Sequence, residues 1–201
     1  MGLRASVSGG AVDPLVALAL EDRFLQQCCY EELAPSLGQL VEDSGIANER
    51  GLSRHRCRKS LRRARDDGFV HRLDGDLRRL YDTVDWLVLE RRLRGLLGDD
   101  PMVELLMGWV RAPMRVGSRL LPRTHGLPQD SVLSPLLALV MLDRLDDAAT
   151  AQGHRLVRRS DGFAVMCRSE AEVTRERDDI ARELERLRLE LASREVQEAA
   201  Q

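Results

Sequence analysis

Two kinds of residue in this 201-residue chain could do chemistry. The first is arginine. Lys59 is the sole lysine, so nearly every cation is a guanidinium, and Arg50, Arg54, Arg56, Arg58, Arg62, Arg63 and Arg65 crowd into one segment. A second series, Arg111, Arg115, Arg119 and Arg123, leads into His125. Such patches can follow a phosphate backbone by displacing its counterions. The competing reading is a solvated helix face paired to nearby Asp and Glu, and the net charge of −2 is not that of a general nucleic-acid binder. The second kind is aspartate at turn-like positions, Asp74-Gly75-Asp76 and Ser160-Asp161-Gly162. Each taken alone reads as turn chemistry. Cys28, Cys29, Cys57 and Cys167 have no C-x-x-C spacing and no matching histidine pair, which points away from zinc and towards reduced, buried thiols.

The elements that must position these residues follow from periodicity and capping. Residues 16–40 carry helical apolar spacing interrupted by Pro35, and residues 53–65 form a basic helix that stops near Gly68. Phe69, Val70 and Leu73 suit a short buried strand, followed by the carboxylates. Residues 86–97 and 101–110 read as two helices separated by Gly98-Asp99-Asp100, with Pro101 at a first helical position. Ser134-Pro135 opens a helix whose apolar positions include Leu136, Leu137, Val140, Met141 and Leu145. The runs HRLVR and FAVMC are strand-like and are divided by Arg159-Ser160-Asp161-Gly162, a hairpin turn. Ser169-x-x-Glu172 is a capping-box pattern for a last helix with Val173, Ile180, Leu184 and Leu187 at helical spacing. With 43% hydrophobic and only 3% aromatic residues, the composition favours a helix-rich α+β protein over an all-β sandwich. No long apolar run and no secretory leader is evident, so a cytoplasmic protein is expected.

Three segments, in order, resemble the motifs of reverse transcriptases. LDGDLRRLYDTVD is similar to the strand that ends in the family's first metal-binding aspartate, which puts Asp76 in that place and Tyr81 in that of the aromatic sugar gate. GLPQDSVLSPLLALVMLDRLD resembles the family's G-L-P-Q-G-x-x-x-S-P-L-L run and the helix after it. RRSDGFAVMCRS resembles the R-Y-A-D-D-F hairpin, with Asp161 on its first catalytic aspartate. Upstream, LALEDRFLQQCCYEELAP is similar to the D-R-x-x-Q stretch of group II intron and CRISPR-associated enzymes, and ANERGLSRHRC falls where their Y-R-P-G-x-S motif lies.

The resemblance implies a fold of fingers and palm, with a small antiparallel sheet that carries a catalytic-type hairpin and packs on helices. It implies a helical fingers-like region over 1–72 and a palm-like region over 73–201. It implies RNA-directed DNA polymerase chemistry with Mg²⁺ held by Asp76 and Asp161 on adjoining strands, since two-metal phosphoryl transfer needs convergent carboxylates. It implies Tyr81, Gln129 and Arg50 as substrate-binding residues. An RNA template, a DNA primer and deoxynucleotides would be the partners, with no membrane. The departures fall on this chemistry. Gly162 stands where the family has its second hairpin aspartate, and Arg159-Ser160 replaces Tyr-Ala. Asp130 replaces a glycine, and Glu49 stands where Y-R-P-G has arginine. In LELASREV, Ala192 and Glu195 replace an asparagine and a lysine. No thumb is expected after the palm-like region, unless a separate polypeptide supplies one. Impaired or lost activity follows from these departures, and the alternative is a noncatalytic nucleic-acid-binding or interaction remnant.

Overall fold

In a computed structural model, residues 20–36, 52–116, 119–128, 131–151, 153, 155–159 and 162–198 are described. Their elements run α1 (Leu20–Ser36), α2 (Leu52–Asp66), β1 (His71–Leu77), α3 (Leu80–Thr83), α4 (Trp86–Leu97), α5 (Pro101–Val110), β2 (Met114–Val116), β3 (Arg119–Leu121), α6 (Ser134–Ala151), β4 (Arg155–Arg159), β5 (Gly162–Cys167), α7 (Glu170–Leu187) and β6 (Leu191–Glu198). This is an α+β chain, and it divides into two compact units that are each discontinuous in sequence.

The first unit takes residues 1–37 and 81–141. Its helices begin where side chains satisfy their first backbone donors. Asp85 accepts from the amides of Leu87 and Val88 at the start of α4, and Asp100 accepts from Met102 ahead of Pro101 in α5. Gly98, at φ +67°, ends α4. Val88, Leu89 and Leu93 of α4 are buried, as are Val103, Leu106, Met107 and Val110 of α5, the last four at the i, i+3, i+4, i+7 spacing of a packed amphipathic helix. On α1, Gln26, Cys29 and Leu33 are buried, and Asp22 accepts a 3.2 Å hydrogen bond from the Trp109 indole of α5. The neighbouring thiol Cys28 is exposed, contrary to the expectation of buried cysteines, because it lies one residue round the helix from that stripe. The β2–β3 ribbon pairs Met114 with Leu121 and Val116 with Arg119.

The second unit takes residues 38–80 and 142–201 and is built on a four-stranded antiparallel sheet ordered β4-β5-β1-β6. Strand β5 is central and buried from Phe163 to Cys167 on both faces, which requires cover on both. Helix α7 packs against β1 and β5, burying Val173, Ile180, Leu184 and Leu187. Helix α2 packs against β4 and β5, where Ala64, Phe69 and Met166 form one apolar cluster with Leu61 against it. Phe69 is therefore buried as expected, but Val70 is exposed and β1 starts only at His71. The chain is still turning off α2 at that point, with the Phe69 amide donating to the Ala64 carbonyl. Ser169 caps α7 by accepting from the Glu172 amide, and the Glu172 carboxylate returns to the Arg168 amide, a capping box displaced by one residue. Among the described residues no helix is long and apolar enough to cross a membrane.

Candidate nucleic-acid and metal site

The carboxylates of β1 have different fates because the strand alternates. Leu73 and Leu77 are buried, whereas Arg72, Asp74 and Asp76 belong to the opposite face. Asp74 is held by Arg72, whose Nε donates to Oδ1 at 2.8 Å. Asp76 is exposed near the end of the strand, and its carboxylate has neither hydrogen bond nor ion pair to any described residue. Of the two aspartates, Asp76 is the one whose carboxylate no described residue engages, and hard carboxylate oxygens of this kind suit Mg²⁺.

The register fixes what faces Asp76. On one side its cross-strand partner is Gly162 of β5, and on the other it is Ser193 of β6, with the β1–β6 register shifting between Asp76 and Leu77. Directly paired residues have their Cβ atoms roughly 4.5–5.5 Å apart, so a side chain at 162 would stand beside the Asp76 carboxylate. This chain has glycine there. Asp161, Gln129, Arg50, Asp130 and Glu49 lie outside the described residues. Among the described residues no group of three His, Cys, Asp or Glu is placed to hold a metal ion.

Gly75, next to Asp76, is cross-strand to Phe163. A Cβ at Gly75 would collide with the Phe163 ring, so the ring occupies the space that any other residue would need. The glycine of the D-G-D run is thus fixed by packing in mid-strand rather than by a turn.

Tyr81, in the first unit, is half-buried at the start of a second construction. The G-L-P segment docks on the backbone of residues 81–84. The amide of Gly126 donates to the Val84 carbonyl at 2.7 Å and that of Leu127 to the Tyr81 carbonyl. The Gly126 carbonyl receives the Trp86 indole and the Arg123 guanidinium, each at 2.7 Å. Arg123 also lies 5.9 Å from the centre of the Trp86 ring. Burial pulls the Arg123 guanidinium below its ordinary value and the Asp82 carboxylate opposes that shift. Gly126 has φ +83°, and a Cβ there would stand 2.7 Å from the Asp82 carbonyl oxygen and 2.9 Å from that of Tyr81.

The same segment is braced from α1. Ser131 Oγ donates to Gln26 Oε1 at 2.8 Å and accepts from the Leu133 amide, while Ser134 Oγ donates to the Pro128 carbonyl. Gln26 is fully buried, and its amide nitrogen has no partner among the described residues. Sequence reading gave Gln26 only as part of a motif. Its spacing of four from Asp22, on one helical face, was the available signal for a bracing role.

The described side chains of the second arginine series are used in different ways. Arg111 pairs with Glu90, which also binds Arg94 at 3.0 Å, and these guanidiniums hold the Glu90 carboxyl below its usual range. Arg123 is spent on Trp86 and Gly126, and Arg119 is exposed on β3. The cations of α2 differ. Arg58, Lys59, Arg62, Arg63 and Arg65 are all exposed, and none forms an ion pair among the described residues.

Comparison with known proteins places the chain by fold. Telomerase from Candida albicans, in a complex with the TWJ fragment of telomeric RNA, is similar over 90% of this chain and 34% of its own, with a TM-score of 0.66 at 11% identity. Apo telomerase from Candida tropicalis, truncated from its C-terminal domain, is similar over 90% of this chain and 41% of its own, with a TM-score of 0.63 at 15% identity. The chain therefore has a reverse-transcriptase-like fold. By sequence it is 28% identical over 144 residues to Protein YkfC of Escherichia coli strain K12, a match that spans 69% of this chain and 38% of that protein. No family model matches.

Proposed function

We propose that this chain is the fingers-and-palm part of a reverse-transcriptase-type protein that binds RNA or DNA through its phosphate backbone and whose nucleotidyl transfer is impaired or lost. The observation that carries this reading is Asp76, an exposed carboxylate near a strand end with no partner among the described residues, facing a glycine across the strand pair. In this reading residues 1–72 are the fingers-like region and 73–201 the palm-like region. Asp76 and Asp161 would hold Mg²⁺, Tyr81 would lie against the sugar of the incoming deoxynucleotide, and Gln129 and Arg50 would contact substrate. Bound Mg²⁺ supplies charge stabilisation of the transferring phosphoryl group and activation of the primer 3′-oxygen.

The chain's own residues set the limits of that chemistry. Gly162 offers no ligand beside Asp76, and Asp130 and Glu49, by their places in the resembled motifs, would add negative charge where phosphates approach. Loss of one carboxylate of three is worth ~3–4 kcal/mol of transition-state stabilisation, roughly 10²–10³ in rate. Folding is separable from this loss, since Leu73, Leu77 and the β1–β5 pairing do not use the Asp76 carboxylate.

The test is primer extension on an RNA template with Mg²⁺ or Mn²⁺, comparing the chain with Asp76→Ala. Weak or absent extension, with retained binding of the template–primer, is expected. Robust extension that disappears in Asp76→Ala overturns the impaired-enzyme reading, and absence of binding overturns the nucleic-acid partner.

A further inference from the structure

The cationic face of the second unit is wider than the basic segment of α2. Helix α2 packs on β4 and β5 through Leu61 and Ala64, so its exposed cations border that face of the sheet. On the same face, Arg155 of β4 is cross-strand to Met166, a member of the cluster with Ala64 and Phe69. Arg168, directly after β5, is two residues from Met166 and so belongs to its side of the strand. Both guanidiniums lie over the Phe69 ring, at 5.7 Å and 4.6 Å from its centre. The ring itself is buried, while both arginines are exposed at the surface. Neither guanidinium has an ion-pair partner among the described residues.

We infer that Arg155 and Arg168, held over Phe69, continue the α2 cations into a single phosphate-binding surface whose ligand is the backbone of a single-stranded nucleic acid. An arginine stacked on an aromatic ring loses conformational freedom before it binds, yet its N–H groups at the plane's edge stay free to donate. Two such groups beside an unpaired basic helix form an array that a succession of phosphates fits, and a single carboxylate does not. Among the described residues the acids near it are Asp66 and Asp67 at and just after the end of α2, Asp74, which Arg72 holds, and Asp76 at the other end of β1, while Glu172 accepts from the Arg168 amide. RNA and DNA share the chemistry, so the surface is read as backbone-directed with little sequence preference.

This inference rests on the nucleic-acid partner proposed above, but its test does not involve Asp76 or catalysis. Fluorescence anisotropy of a labelled single-stranded RNA, and of the matching DNA, is measured across salt concentration for the full chain and for Arg155→Gln/Arg168→Gln. Two lost phosphate contacts lower the slope of log affinity against log salt by about 1.4, so the full chain's advantage shrinks about sevenfold between about 50 and about 200 mM salt. Arg58→Gln/Arg62→Gln is expected to lower the slope by a similar amount. An unchanged slope in the Arg155/Arg168 variant, with a lowered slope in the α2 variant, overturns the extension of the patch. Displacement of RNA by polyglutamate of equal charge would instead assign the surface to an acidic protein. Should the double variant fail to fold, the unaltered chain decides. RNA is expected to protect Arg155 and Arg168 from phenylglyoxal, read by mass spectrometry, and modification at the same rate with and without RNA overturns the proposal. A chain that extends primers yet shows neither effect fails this inference alone.

Discussion

Replacing Gly126 by alanine tests the docking of the G-L-P segment through a cost that can be built from its parts. The backbone there has φ +83°, and holding an L-residue in such a region costs roughly 1–3 kcal/mol. The new Cβ would also stand 2.7 Å and 2.9 Å from the carbonyl oxygens of Asp82 and Tyr81. Those oxygens are backbone atoms, and Tyr81 already accepts from Leu127, so relief requires moving the whole turn and adds about 1–3 kcal/mol. Gly98 provides the internal control. It has φ +67° at the end of α4, in the same unit, with nothing within 4 Å of its would-be Cβ, so Gly98→Ala carries the conformational part alone. Urea unfolding of the two variants is expected to place Gly126→Ala about 1–3 kcal/mol below Gly98→Ala, a difference of several degrees in Tm. Because the Trp86 indole donates to the Gly126 carbonyl, Trp86 fluorescence is expected to shift in Gly126→Ala and not in Gly98→Ala. Equal stability of the two variants would refute the docking.

Three further outcomes follow from the same kind of reasoning. Gly75→Ala drives a Cβ into the Phe163 ring and is expected to cost about 1–3 kcal/mol by thermal unfolding, with Phe163→Leu in the same chain recovering part of it. Cys167 is buried beside Glu176 and Glu172, and desolvation first, then those carboxylates, push its thiol up to about 12. A raised thiol favours the folded state below the ordinary value of 9.0 and loses that contribution as pH rises towards about 12. Alkylation at pH 8 followed by mass spectrometry is therefore expected to modify exposed Cys28 well before Cys167, and equal rates would count against the burial. Glu90 is held down by Arg94 and Arg111, so its contribution is present above the ordinary carboxylate value of 4.5 and is lost as pH falls below it. Glu90→Gln is expected to lower stability by about 0.2–1 kcal/mol at neutral pH, a difference that closes in acid and with added salt.

Local signals made the helices legible. Asp85, Gly98, Asp100 and Pro101 bound α4 and α5 at the expected residues, since caps act within one turn. The basic helix and the β4–β5 hairpin were readable for the same reason, one from its run of cations and the other from a turn between two apolar runs. Harder to read was whatever depends on a distant partner. The β2–β3 ribbon is only three residues a strand, too short for period-two alternation to register, and β6 was seen as a motif rather than as a strand. Val70 continues an apolar run yet faces outward, because burial is decided by how α2 hands the chain to β1. The place of Asp76 near the end of β1 was legible, while its difference from Asp74 depends on the Arg72 side chain. The fixing of Gly126 by Trp86, forty residues away, has no counterpart in any local pattern.

The proposed function is that of a reverse-transcriptase-like chain that holds nucleic acid while transferring nucleotides poorly. Its most direct measurement places both properties in one reaction, a labelled RNA template–primer titrated with the chain in Mg²⁺, with anisotropy read for binding and a gel for primer length. Salt-sensitive binding with little or no extension is expected, and the same binding in Asp76→Ala. Extension that rises with bound protein and vanishes in Asp76→Ala would contradict it.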